Sequence, residues 1–132
     1  METPQEKSAI EKLIFSFSDA FNAADIPNTV ASFTSDGINM ANNAPVAQGA
    51  DQLVKTFGFL FNMAKINIEY VIDEVILNDG NAVVRTNSKV TTSVIASGEK
   101  IFLENKELFV LRKETGEWKI SHYIFNNTKT TK

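Results

Sequence analysis

The apolar residues of this chain change period once, at Lys65. Before it they recur every third or fourth residue, as on one face of a helix; after it they recur every second, as in a strand. Thr3-Pro4-Gln5-Glu6 reads as a capping box, with Thr3 as N-cap and Pro4 at the first helical position. The stripe Ile10, Leu13, Ile14, Phe17, Phe21 and Ala24 follows it. Asp25 closes this region and caps a second, shorter helix whose apolar face is Val30, Ala31 and Phe33, ending near Asp36-Gly37. A short strand is expected at 38–40. A third helix starts at Gly49-Ala50-Asp51, with Asp51 at its positive dipole end and the stripe Leu53, Val54, Phe57, Leu60, Phe61 and Ala64.

In the second half Ile66, Ile68, Tyr70, Ile72 and Ile76 alternate with polar residues. Asn78-Asp79-Gly80-Asn81 is a hairpin turn, because Asp-Gly tolerates the positive φ angles such turns demand. Ser97-Gly98 and Glu114-Thr115-Gly116 turn the chain twice more, so four long strands form an antiparallel meander. Helices first and strands afterwards make the fold α+β rather than alternating α/β. With 132 residues it is read as a single domain over residues 1–132, ending in a polar tail at 127–132. Strict alternation in the last strand places Trp118, Ile120, His122 and Ile124 on one face, and Ser121, Tyr123 and Phe125 on the other. A strand apolar on both faces needs cover on both. The first face, carrying Trp118, Ile120 and His122, is therefore expected at a homodimer interface; the alternative is a satellite core within the chain.

Composition removes much chemistry. The chain has no Cys and a single His, against ten Phe, so disulfides, thiol nucleophiles and cysteine-ligated metals are excluded. One chain cannot build a multi-histidine metal site, and no metal is expected. The glycines form no phosphate-cradling series, so no nucleotide or other cofactor is expected. A net charge of −3 without basic runs lacks the footprint of a nucleic-acid binder. No apolar run approaches the roughly 18–20 residues of a membrane span, and the polar start lacks a signal peptide's apolar region. A cytoplasmic protein without nucleic-acid or membrane partners is expected.

Ala20-Phe21-Asn22-Ala23-Ala24-Asp25, Phe33-Thr34-Ser35-Asp36-Gly37, Gln48-Gly49 and the run from Leu111 to Ile120, in this order and spacing, resemble the nuclear transport factor 2-like superfamily. The resemblance is greatest to its small SnoaL-like and DUF4440-type members, and it covers about residues 8–126. It implies a cystatin-like cone, with three helices packed on a strongly curved antiparallel sheet around an apolar pocket. It also implies a homodimer through the convex sheet face. In the ketosteroid isomerase pattern the oxyanion-donor Tyr, the general-base Asp and a second acidic donor align with Phe17, Ala41 and Phe109 here. Phenylalanine neither donates a hydrogen bond nor moves a proton, so that machinery is not expected.

The expected pocket lining is Phe17, Phe21, Asn39, Phe57, Phe61, Asn105, Glu107, Phe109, Ser121, Tyr123 and Phe125. Glu107 is the acid–base candidate, with Tyr123 or His122 as its partner; the alternative is a Glu107 salt bridge to a neighbouring strand. Tyr70 and Tyr123 can donate to a ligand or serve as core tyrosines. Phe15 and Phe59 lie off their helices' stripes, at a subunit contact or a pocket mouth. Three functions stay open. The first is a homodimeric binding protein for a small apolar or aromatic molecule. The second is an enzyme of the cyclase, isomerase or dehydratase kind, and the third is an interaction scaffold.

Overall fold

A computed structural model describes residues 4–131. Pro4 opens α1 (Pro4–Asn22), whose buried stripe is Ile10, Ile14, Phe17 and Phe21. The Thr3 end of the expected capping box lies outside the described residues, and Glu6 reaches Lys113 Nζ at 3.1 Å. The helix stops where Ala24 turns left-handed, at φ 55°. Asp25 then caps α2 (Ile26–Ala31), its Oδ1 accepting from Asn28 N at 3.2 Å. Phe33 does not prolong this helix as expected. It begins β1 (Phe33–Met40), longer than the strand expected there, although its side chain still enters the core. A two-residue strand, β2 (Ala47–Gln48), precedes α3 (Gly49–Met63), which the left-handed Gly49 at φ 83° initiates.

The meander is β3 (Ala64–Asn78), β4 (Asn81–Val94), β5 (Lys100–Glu114) and β6 (Glu117–Thr131). The expected polar tail is therefore strand through Thr131, because Leu103 and Phe102 of β5 pair with Thr130 and Thr131. The sheet order is β2-β1-β6-β5-β4-β3, antiparallel throughout except for the parallel pair β1–β6. Three helices on one antiparallel-dominated sheet give the expected α+β architecture.

Two bulges revise the expected faces. On β6, Leu111 pairs with Ile120 but Val110 pairs with His122, so Ser121 is an extra residue. Trp118 and Ile120, expected at a dimer interface, consequently share the inner face with Tyr123 and are buried in the core at 7% and 0% exposure. Ser121 leaves the inner face; its hydroxyl bonds Val110 O and His122 Nδ1, both at 3.0 Å. On β3, Ile72 pairs with Thr86 and Glu74 with Arg85, leaving Asp73 extra. Past that point Val75 packs inward and Ile76 turns out, contrary to unbroken alternation.

The sheet curls hard. Tyr70 on β3 and Tyr123 on β6 are three inter-strand spacings and four residues of register apart, about 20 Å between Cα atoms in a flat sheet, yet their hydroxyls meet at 2.6 Å. Phe17 of α1 fills the curl, touching Phe33, Phe109, Tyr70 and Tyr123 at ring distances of 5.6–6.5 Å. The end of α1 is fastened to the outer edge of β3. There Asn22 Nδ2 donates to Ile68 O at 3.0 Å and its Oδ1 accepts from Ile68 N at 2.8 Å.

Candidate functional site

Strand register stacks three rows of side chains on the inner face. The first is Asn39, Tyr123, Phe109 and Val84; the next is Phe125, Glu107, Thr86 and Ile72. The third is Asn127, Asn105, Ser88 and Tyr70. Alternation alone puts Glu107 two residues from the core residue Phe109 and on its face. Glu107 is the one Asp, Glu, Lys, Arg or His buried among the described residues, at 4% exposure.

Among the described residues no salt bridge accompanies it. Its carboxyl lies between two hydroxyls of β4: Thr86 Oγ1 donates to Oε1 at 2.8 Å, and Ser88 Oγ bonds Oε2 closely. These partners follow from the register, since Thr86 faces Glu107 across the ladder and Ser88 shares its side. Burial pushes the carboxyl above its ordinary value near 4.5; the Ser88 and Thr86 hydroxyls oppose that rise, and the charge of Asp73 adds to it. The group is thus biased toward a neutral acid.

Tyr70 and Tyr123 form the second polar element, with phenols pushed up mainly by burial. Glu107 raises both further, and their mutual bond makes one hydroxyl donor and the other acceptor. Aromatic rings wall this pair: Phe109 stacks on Tyr123 at 4.4 Å and Phe125 lies 5.4 Å from it. Asn39 and Asn105, both 4% exposed, each carry a buried Oδ1 without a hydrogen-bond partner.

Of the expected lining, Phe17, Phe21, Phe57 and Phe109 are buried in the main cluster, while Phe61 and Phe125 pack partly buried against it. Phe21 joins the α3 rings, at 6.1 Å from Phe57 and 5.2 Å from Phe61. Asn39, Asn105, Glu107 and Tyr123 share the inner face, and Ser121 does not. His122, the other expected partner of Glu107, faces outward with Val110 and is separated from it by the sheet. Tyr123 bonds Tyr70 rather than Glu107. Thr86 and Ser88 are the residues that sequence reasoning missed; counting register back from the Ser97-Gly98 turn would have found them. Off-stripe Phe15 and Phe59 are 44% and 69% exposed. Among the described residues no His, Cys, Asp and Glu cluster could hold a metal, and no helix is long and apolar enough to cross a membrane.

The outer face carries a broad groove of about 870 Å³. Its lining includes Asp73, Arg85, Asn87, Lys106, Leu108 and Ile124 and also Thr86, Ser88, Asn105, Glu107 and Phe125 of the inner rows. Arg85 is held at its edge by Glu74 at 3.2 Å and Asp73 at 3.7 Å.

A SnoaL-like domain model matches residues 10–125. The chain belongs to the SnoaL-like family. Its fold is shared closely by the crystal structure of a ketosteroid isomerase-like protein from Erwinia carotovora atroseptica. That protein is 31% identical, with a TM-score of 0.90 over 96% of this chain and 99% of the other. A hexachlorocyclohexane dehydrochlorinase shares the fold at 10% identity, with a TM-score of 0.88 over 96% and 88% of the two chains. A Nostoc punctiforme protein of unknown function with a cystatin-like fold does so at 20% identity, with a TM-score of 0.78 over 96% and 95%. None of the curated proteins compared matches this SnoaL-like chain.

Proposed function

We propose that this SnoaL-like protein binds a small, flat, largely apolar molecule against the inner face of its sheet. One observation carries the reading. A set of buried polar side chains (Asn39, Asn105, Glu107 and the tyrosine pair), spread over three rows, is set among phenylalanines on the inner face of the sheet. A core needing only to hold the fold gains little from such groups, whereas ligand sites combine apolar walls with a few placed polar atoms. Phe17 and Phe109 stand where the isomerase pattern has donors, which favours binding over that chemistry. The test is a thermal-shift screen with flat aromatic and sterol-like compounds. A ligand present at 100 times its Kd stabilises the native state by about 2.7 kcal/mol. A melting temperature unmoved across the panel overturns the reading.

Glu107 favours a second reading, an enzyme that moves protons. A buried carboxyl whose pKa is raised can donate a proton to one substrate atom and accept one from another. Glu107→Gln would then abolish turnover with the fold intact, and unchanged turnover removes Glu107 from the mechanism. The domain is also proposed to dimerise through the outer face, where Leu108 and Ile124 remain 38% and 44% exposed beside the groove. Light scattering should give twice 14.6 kDa, and the monomer mass at micromolar concentration would contradict it.

A further inference from the structure

We infer that two copies of this chain pack outer face to outer face about a two-fold axis that runs parallel to the strands, between β4 and β5, with Lys89 of each copy paired to Glu104 of the other. The inference rests on the dimer reading above and adds how the two faces meet and which charges select that arrangement.

Register lays four charged side chains in one row across the outer face: Glu69 on β3, Lys89 on β4, Glu104 on β5 and Lys129 on β6. All four are exposed, and they alternate in sign. Opposite charges on neighbouring strands also serve a single sheet. That use is incomplete here. Glu104 and Lys129 approach to 4.0 Å, while among the described residues Glu69 and Lys89 make no ion pair.

Identical sheets packed face to face have their two-fold axis in the plane between them, and the row tells the possible axes apart. An axis along β4 or β5 sets Lys89 or Glu104 on its own copy. An axis across the strands at this row sets every charge on itself. Only an axis between strands brings opposite charges together, and the one between β4 and β5 engages all four strands. It lays β4 over β5 and β3 over β6 of the second copy, so minus, plus, minus, plus meets plus, minus, plus, minus. Packed sheets lie about 10 Å apart, a gap that a lysine and a glutamate span together.

The same axis suits the neighbouring rows. Asn87 comes over Lys106 of the second copy, and Lys106 makes no ion pair among the described residues. The amide nitrogen of Asn87 already donates to Asp73 at 2.9 Å, which leaves its carbonyl to accept from that lysine. Arg85, held by Glu74 and Asp73, lays its apolar stem over Leu108, and Val83 comes over Val110. Lys89 and Glu104 both line the outer groove, so their partners on the second copy enter it.

The experiment is charge reversal read by sedimentation equilibrium on the intact chain, with circular dichroism to check each fold. Lys89→Glu and Glu104→Lys each set like charges together twice in the dimer and should weaken it roughly 10- to 100-fold. Mixing the two variants makes both contacts opposite again, so the mixture should form a 1:1 heterodimer at concentrations where each alone is monomeric. Pairs made within one sheet cannot give that recovery, because inside each variant the altered charge still sits among like neighbours. Lys55→Glu, an equal change of net charge on α3, should leave the dimer unchanged. Lys89→Gln covers a reversal that does not fold and should weaken the dimer roughly threefold to tenfold. A wild-type dimer that none of the Lys89 and Glu104 variants weakens overturns this arrangement and leaves the dimer reading standing. So does a mixture as weak as its parts, or equal weakening by Lys55→Glu. A wild type that is monomeric at micromolar concentration overturns both.

Discussion

Replacing Glu107 with glutamine changes one proton-binding group while keeping its shape, which makes it the most exposing perturbation of this fold. In the native protein the carboxyl titrates above 4.5 because burial outweighs the two hydroxyl bonds. A group whose native pKa is raised binds more protons folded than unfolded. Stability is therefore highest below the unfolded pKa, falls as pH rises from about 4.5 toward the native value, and is flat beyond it. Each unit between the two values is worth about 1.4 kcal/mol, and at this chain length each kcal/mol moves the melting temperature by roughly 3–5 °C.

Glutamine cannot ionise, yet its amide can accept from Thr86 and donate to Ser88, so the hydroxyl pair stays partnered. The variant should thus match the wild type near pH 4 and become the more stable protein at pH 8. The assay is thermal unfolding by circular dichroism at half-unit steps from pH 4 to 9, with the variant curve subtracted from the wild type. The reasoning is refuted if the difference curve is flat. It is equally refuted if the wild type gains on the variant as pH rises, since that would mean the carboxylate is stabilised as an anion.

Three further outcomes are expected. Tyr123→Phe removes one hydroxyl of the buried pair and strands Tyr70, so chemical denaturation should show a loss of about 1–3 kcal/mol. Deleting Ser121 removes the bulge but leaves Ile120, His122 and Tyr123 in plain alternation, so Trp118, Ile120 and Tyr123 keep the inner face; cooperative unfolding and near-ultraviolet dichroism should persist, and their loss would contradict the register. Gly37→Ala places a methyl 2.7 Å from Phe33 Cβ, and overpacking there should lower stability by about 1–3 kcal/mol in a urea titration.

Helices and turns were legible because each has a local chemical signature. Pro4 and Asp25 mark helix starts by what their side chains do to the first turn, and Asp79-Gly80 marks a hairpin through its allowed φ angles. The bulges at Ser121 and Asp73 have no such signature. Ser and Asp are ordinary strand-surface residues, and the extra residue is defined only by what faces it on the neighbouring strand. That blind spot carried Trp118 and Ile120 to the wrong side of the sheet. Glu107 was singled out from its alternation with Phe109. Its hydroxyl partners were not, because Thr86 and Ser88 read as generic β-strand residues until the hairpin register places them opposite and beside it.

The parallel pairing of β1 with β6 has a consequence for how the chain must be made. β1 precedes its partners Ile120, His122, Tyr123 and Ile124 by more than eighty residues, with α3 and the β3–β5 meander between them. Only the two-residue β2 could pair with β1 before they appear. Helices and the β3–β5 meander can assemble as the chain emerges, whereas β1 must wait with one edge open until β6 has followed them. Closure is therefore a late, long-range event of the kind that slows folding. A chain stopped at Gly116 would lack β6 altogether, leaving β1 and β5 as two exposed edges instead of neighbours of one strand.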